Sequence, residues 1–413
     1  MTTPMYAAEY VFPGHPDKLC DAIADALVQA AGHLEKRALV GVEVAVHRSR
    51  VLLTGRIGCN DASGIDTDAL VRQVYCSAGY GSEWGPRPED LKIGAELCLG
   101  PLEEGESAFR ELADDQSICT GYAVDIPQTN FLPVEHWLAN RLGQKLQDLR
   151  RVQPDLRLGP DGKVCCVVCE RDGRFFLAQF SCSLQQKARA DDIALHRAVR
   201  VTLEQALVEL AVELPVLDAT VPAMIHVNGA GAFDRGGPEG DNGLSGKKLV
   251  VDAYGPRVAI GGGALSGKDF FKADRAGALH ARRLAKAVVM TGAASDALVH
   301  LVWVPGEPAA RILSIKSGDG AEVPVSNWER LVDLSLAASG ESWTGSADLI
   351  DIARCGHFTN PTLPWECVHI GCTALAGLSA KKCSGIWSGG GVTDVTALSD
   401  HGACQAADPD CHK

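Results

Sequence analysis

Leu19, Ile23, Ala26, Leu27 and Ala30 recur at helical spacing behind His15-Pro16-Asp17-Lys18, and Pro16 suits a first helical turn, so a helix is predicted from that point. His15 and Asp17 then stand at a helix N-terminus, the end that attracts anions. The β-rich runs 39–47 and 51–57, separated by Arg48-Ser49-Arg50, predict a hairpin. A second helix is predicted over 66–80. From Tyr80 to Asp114 the chain is rich in Gly, Pro and Glu, and residues 100–106 have little periodicity, which makes them a candidate mobile loop.

Beyond it the pattern predicts a helix over 133–150, strands over 163–170 and 175–181, and a helix over 191–213. A third set follows: strand 224–227, a glycine-rich segment 229–246, strand 248–253, a second glycine-rich segment, helix 274–290, then strands 298–303 and 311–314. Strand pairs and helices alternate about three times without an obvious residue repeat, which predicts an α+β architecture of three similar β/α subdomains. The expected divisions are an N-terminal domain over 5–99, a central domain over 112–230, a C-terminal domain over 231–370 and a tail over 371–413.

Composition narrows the classes. The 413 residues, 46% hydrophobic and 22% charged, fit a globular protein. Without an apolar run of 18 residues or a basic-then-apolar leader, a soluble cytoplasmic protein is expected. A net charge of −13 argues against nucleic acid or an anionic membrane as partner. Lysines nevertheless gather at Lys247-Lys248 and Lys268…Lys272, beside glycine turns, as suits a small polyanion such as a nucleotide. The 15 cysteines are scattered, so reduced thiols are expected, with Cys165-Cys166-Val167-Val168-Cys169 a buried strand. Cys383, His401, Cys404, Cys411 and His412 match no tight zinc spacing.

The segment Gly261-Gly262-Gly263-Ala264-Leu265-Ser266-Gly267-Lys268-Asp269, continuing through Lys272-Ala273-Asp274-Arg275, has the makings of a phosphate cradle. Consecutive glycines let backbone N–H groups turn toward an anion, lysines add charge, and aspartates offer oxygen ligands to a metal. The spacing imitates a P-loop, but Asp269 occupies the position where that motif needs Ser or Thr. A different polyphosphate site is therefore expected.

Several segments together resemble the S-adenosylmethionine synthetases. They include Gly14-His15-Pro16-Asp17-Lys18, Asp115-Gln116, Gly121-Tyr122-Ala123, Pro160-Asp161-Gly162-Lys163, the run Gly236 to Lys248, the cradle itself, Gly356-His357-Phe358 and Pro364-Trp365-Glu366. The resemblance covers roughly residues 6 to 370 in order. It implies three pseudo-symmetric domains, active sites between the subunits of a homodimer or dimer of dimers, and magnesium and potassium as cofactors. The implied reaction joins the sulfur of methionine to C5′ of ATP and expels tripolyphosphate, which is then hydrolysed to phosphate and diphosphate.

By that resemblance His15, Lys163, Lys247, Lys248 and Lys268 are the catalytic and phosphate-binding residues. Asp161, Phe233, Asp241 and Ala264 join them around ATP. Asp17 and Asp274 match magnesium ligands, and Glu43 the monovalent-cation position. Asp115, Asp241 and Lys272 match positions near the acceptor. Departures cluster on that side. Arg56 stands where the family has a glutamate that holds the methionine ammonium, Leu102 falls where it has a glutamine, and Trp303 replaces a smaller aliphatic residue. Arg56 near an ammonium would cost on the order of 1–4 kcal/mol. Three readings stay open: adenosylation of methionine, adenosylation of another nucleophile, and a non-catalytic ATP-binding homologue. A P-loop kinase, a further alternative, would yield ADP.

Overall fold

The computed structural model describes residues 4–328 and 332–368. The helix predicted behind His15 forms because Leu19, Ile23, Ala26 and Leu27 all reach the core. In chain order the first elements are β1 (Met5–Val11), α1 (Pro16–Leu34), β2 (Leu39–His47), β3 (Arg50–Gly58), α2 (Thr67–Ala78), β4 (Lys92–Gly100) and β5 (Ser117–Val124). Next come α3 (Val134–Val152), β6 (Leu158–Arg171), β7 (Arg174–Gln186), α4 (Asp192–Glu213), β8 (Met224–Val227) and β9 (Asn242–Leu244). The last are α5 (Leu249–Asp252), α6 (Ala273–Met290), β10 (Asp296–Trp303), β11 (Arg311–Lys316), α7 (Leu336–Trp343) and α8 (Leu349–Cys355).

The strands form three sheets, ordered β1-β6-β7-β8, β11-β10-β5 and β4-β3-β2-β9. Each backs onto helices and its own apolar core: α3 and α4 behind the first, α6 behind the second, α1 and α2 behind the third. This is an α+β fold of three sheet-and-helix units. Gly121 of β5 shows how closely they pack, since a Cβ there would lie 2.1 Å from the Ala281 carbonyl of α6.

Two expectations need correction. Residues 248–253 form the short helix α5 and not a strand, because Asp252 N–H donates to the Lys248 carbonyl at 2.9 Å while the Asp252 carboxylate is drawn inward by Lys18. That buried ion pair overrides the β-propensity of Val250 and Val251. Residues 92–100, within a stretch with no strand expected, form β4, in parallel register with β3. The loop beyond β4 is tied at both ends, by Glu106 to Arg56 and by Arg110 to Asp269. The expected Cys165–Cys169 strand lies within β6, with Cys166 and Cys169 buried as free thiols. The tail cysteines and histidines lie outside the described residues. Among the described residues no helix is long and apolar enough to cross a membrane.

Candidate functional site

Asp17, Asp21 and Asp25 recur every four residues along the buried face of α1, and each accepts a backbone N–H from a glycine-rich segment. Leu244 N–H reaches Asp17 at 3.0 Å, Gly246 N–H reaches Asp21 at 2.8 Å and Gly267 N–H reaches Asp25 at 3.0 Å. Two buried cations balance the ladder. Lys18 lies 3.2 Å from Asp21 and 2.6 Å from Asp252, and Arg275 lies 2.7 Å from Asp25. Helical spacing thus fixes both glycine-rich segments against one helix face. Gly267 has φ +84°, and a Cβ there would sit 2.4 Å from the Val42 carbonyl. Its N–H, expected to face an anion, is taken up by Asp25, so the charge this segment offers comes chiefly from its lysine side chains.

At the top of α1, His15 caps the helix, its Nδ1 accepting from Asp17 N–H at 3.2 Å. That bond leaves the ring proton on Nε2. Burial pushes the imidazole down to about 4, with Asp17 opposing and Lys248 assisting, so His15 is neutral at neutral pH. Asp17 is the hub, with Lys248 Nζ 2.8 Å from its Oδ2 and Lys247 Nζ 3.7 Å from its Oδ1. Burial works to raise this carboxyl, but Lys248 and the Leu244 N–H outweigh it and hold it below its ordinary value.

Beside this cluster Asp161, buried on β6, accepts the Gly237 N–H at 2.7 Å. Burial raises its carboxyl to about 6 against that hydrogen bond. A Cβ on Gly236 would touch Gln185, the Phe233 ring and Asp161 together, so these three side chains converge on bare backbone. Lys163 Nζ lies 2.9 Å from Glu9 Oε1 across the β1–β6 pair. Asp241 is exposed and adds to the field at His15.

On the cradle, Lys268 pairs with Asp274, whose other oxygen accepts from Ser117 Oγ at 2.6 Å. Ala264 is buried, 3.2 Å from where a Gly246 Cβ would stand. Lys272 pairs with Asp114, while Asp115 is exposed. Glu43 faces outward on β2 and accepts from Ser245 Oγ at 2.5 Å. Arg56 is bound to Glu106 at 2.9 Å. Leu102 packs on Gly58, its Cδ2 3.0 Å from a Cβ placed there. Trp303 is 1% exposed, wedged against Gly277 and Cys119 in the α6 core, with its indole N–H unpartnered.

Asp17 Oδ2 is buried without a hydrogen bond of good geometry, an oxygen fit for a cation. Among the described residues no three His, Cys, Asp or Glu side chains cluster as a metal site. A divalent cation here would need most of its oxygens from its ligand, the habit of magnesium with phosphates. Sequence reasoning missed Asp21, Asp25, Glu9, Asp114, Ser117 and Glu106. The first two were visible as charges four apart on an otherwise apolar helix; the others depend on long-range pairing.

The fold is α+β, and lysine–carboxylate pairs stand on both glycine-rich segments, Lys248 with Asp17 and Lys268 with Asp274. Comparison with known proteins identifies its class. Residues 3–96 match the S-adenosylmethionine synthetase N-terminal domain, and residues 235–367 match its C-terminal domain. An S-adenosylmethionine synthase from Methylobacterium radiotolerans is 35% identical over 73% of this chain and 77% of its own length. Another, from Prochlorococcus marinus strain NATL1A, is 32% identical over 89% of this chain and 97% of its own length. One from Desulforudis audaxviator is 31% identical over 89% and 96% respectively. The chain belongs to the S-adenosylmethionine synthetase family of ATP-dependent transferases.

Proposed function

We propose that this protein transfers the adenosyl group of ATP to the sulfur of methionine, releasing tripolyphosphate that is then hydrolysed to phosphate and diphosphate. The supporting observation is the pairing of four lysines, Lys163, Lys248, Lys268 and Lys272, with Glu9, Asp17, Asp274 and Asp114. A metal–polyphosphate complex suits such pairs because partners can exchange: carboxylates turn to the cation and ammonium groups to phosphate oxygens. A singly charged ligand would satisfy only one side.

A thioether lone pair carries no proton, so attack at C5′ needs no general base. The barrier lies in the charge of the leaving group, which preorganised cations lower in a water-poor site. Lys163, Lys247, Lys248 and Lys268 are assigned to the tripolyphosphate. Neutral His15, with its proton on Nε2, donates toward the oxygen that departs from C5′. Asp161, Phe233, Asp241 and Ala264 hold the nucleoside. Asp17 and Asp274 would hold magnesium, which neutralises phosphate charge, and Glu43 with Ser245 would hold potassium. Lys272, Asp115 and Asp241 serve the acceptor side, bordered by Arg56 and Leu102, whereas Trp303, expected there, is buried in the α6 core and offers no surface to an acceptor.

A homodimer or dimer of dimers is part of the same reading. Leu244, Ala45 and Leu52 align across β9, β2 and β3, and the two leucines are 48% and 46% exposed, an apolar row that a second copy would cover. We assign the protein to the cytoplasm, where buried thiols such as Cys166 stay reduced. Product analysis tests the reaction. With ATP, magnesium and methionine, phosphate and diphosphate should appear without ADP; ADP would mean cleavage between phosphorus atoms and would sink the reading.

A further inference from the structure

Ser117 stands where three elements meet. It opens β5, the edge strand of its sheet, and pairs across with Trp303 on β10. The cradle backs onto the outer side of that strand, because a Cβ on Gly261 would lie 2.5 Å from the Ile118 carbonyl. On the α6 side, Gly277 is bare where Cys119 and Trp303 press in. Ser117 is therefore held by strand pairing and close packing, which fix a side chain better than a loop does.

Its hydroxyl ends on Asp274. Ser117 Oγ donates to Asp274 Oδ1 at 2.6 Å, within the short range of hydroxyl–carboxylate bonds, while Oδ2 takes Lys268. A carboxylate outcompetes a thiol for the one hydroxyl proton, so the Cys119 thiol donates to Ser117 Oγ at 3.3 Å. Asp274 is in turn set against the cradle: a Cβ on Gly263 would stand 2.7 Å from its Cγ and 2.8 Å from its Oδ1. A cavity of about 30 Å³ borders Ser117, Gly261, Gly263 and Asp274, room for an ion or a water but for no large group.

The two oxygens of Asp274 are thus unlike. Oδ1 is bound to a neutral hydroxyl anchored on a strand. Oδ2 is bound to a lysine that is 24% exposed and free to turn to a phosphate.

We propose that Ser117 is a positioning residue that pins Asp274 by one oxygen, leaves the other for a divalent cation, and so sets a preference for magnesium over calcium. This rests on the reading above in which Asp274 holds magnesium. Calcium accepts both oxygens of one carboxylate, whereas the smaller octahedral shell of magnesium takes one. With Oδ1 engaged by Ser117, the two-oxygen mode is closed. Hydrogen-bond partners of a ligating carboxylate are worth about 10–100-fold in metal affinity.

The test is metal binding and not turnover. Manganese is the probe, read by loss of the free ion's electron paramagnetic resonance signal, with the full chain, a β,γ-imido analogue of ATP and no acceptor. Magnesium and calcium are then titrated in to displace it. Ser117→Ala should weaken magnesium by about tenfold and calcium less, so that the ratio of their midpoints moves toward calcium. Ser117→Thr, which keeps the hydroxyl, should hold the wild-type ratio. Asp274→Asn tests the underlying reading. If it binds all three ions as the wild type does, Asp274 holds no metal, and the proposal falls with that reading. If Asp274→Asn weakens binding but a folded Ser117→Ala protein keeps the wild-type ratio, the positioning role alone is overturned. Tighter magnesium binding by Ser117→Ala would overturn it too.

Discussion

Lys248 Nζ stands 2.8 Å from Asp17 Oδ2, with the carboxylate side chain 1% exposed and the lysine 19% exposed. The buried partner is thus the assigned metal ligand and the reachable one the assigned phosphate ligand. One contact couples the two halves of the proposed chemistry.

Lys248→Met removes the cation that holds Asp17 in its charged form. Turnover of ATP should fall by about 10²–10³, as for loss of one preorganised electrostatic contact. The magnesium dependence should shift as well, because the Asp17 carboxyl moves up toward its ordinary value. Steady-state phosphate release across a magnesium series reads both, and a variant with wild-type turnover would remove Lys248 from the site.

For His15→Asn, adenosyl transfer should drop by about 10²-fold while ATP binding persists, since only a donor acting in the transition state is lost. The imidazole also leaves a stability signature. Its folded value, about 4, lies below the ordinary 6.5, so the folded chain binds fewer protons between those values than the unfolded one. The contribution is fully present above pH 6.5 and is lost as pH falls through about 4, by at most ~3 kcal/mol. Denaturant titrations of wild type and variant should converge or cross in that window; parallel curves would contradict a buried neutral His15.

Asp25→Asn leaves Arg275 charged and 0% exposed without its partner. Breaking a buried pair from one side costs about 3–5 kcal/mol. The loss should appear as a lower denaturation midpoint, and the cradle should loosen because Asp25 also takes the Gly267 N–H. An unchanged midpoint would show that the ladder on α1 is not what holds the glycine-rich segments.

Gly267→Ala tests the same clamp from the other side. Its φ of +84° and the Val42 carbonyl 2.4 Å from the Cβ position leave no room for a methyl group. Stability should fall by about 1–3 kcal/mol, and the KM of ATP should rise as Lys268 shifts. Wild-type values of both would disprove the close approach.

Much of the fold was legible because its signals are local. α1, the β2–β3 hairpin, α4 and α6 follow from periodicity and turn residues, and β8 runs over the expected residues. β4 was not legible, since Gly94 and Glu96 face outward and only its pairing with β3 makes it a strand. α5 was misread because Val250 and Val251 favour strands, while Lys18, more than 200 residues away, decides the conformation through Asp252. At the site, sequence supplied the lysines and aspartates but not their partners. That Lys163 meets Glu9 and Lys272 meets Asp114 depends on strand pairing and loop placement, which residue identity does not encode. Arg56 was legible as a departure from the family, and its neutralisation by Glu106, 50 residues on, was not.

The most direct measurement is mass identification of the adenosyl product after incubation of the protein with ATP and magnesium, with and without methionine. S-adenosylmethionine should form only when methionine is present, with phosphate and diphosphate beside it. ADP as the nucleotide product, or the same turnover without methionine, would contradict the account.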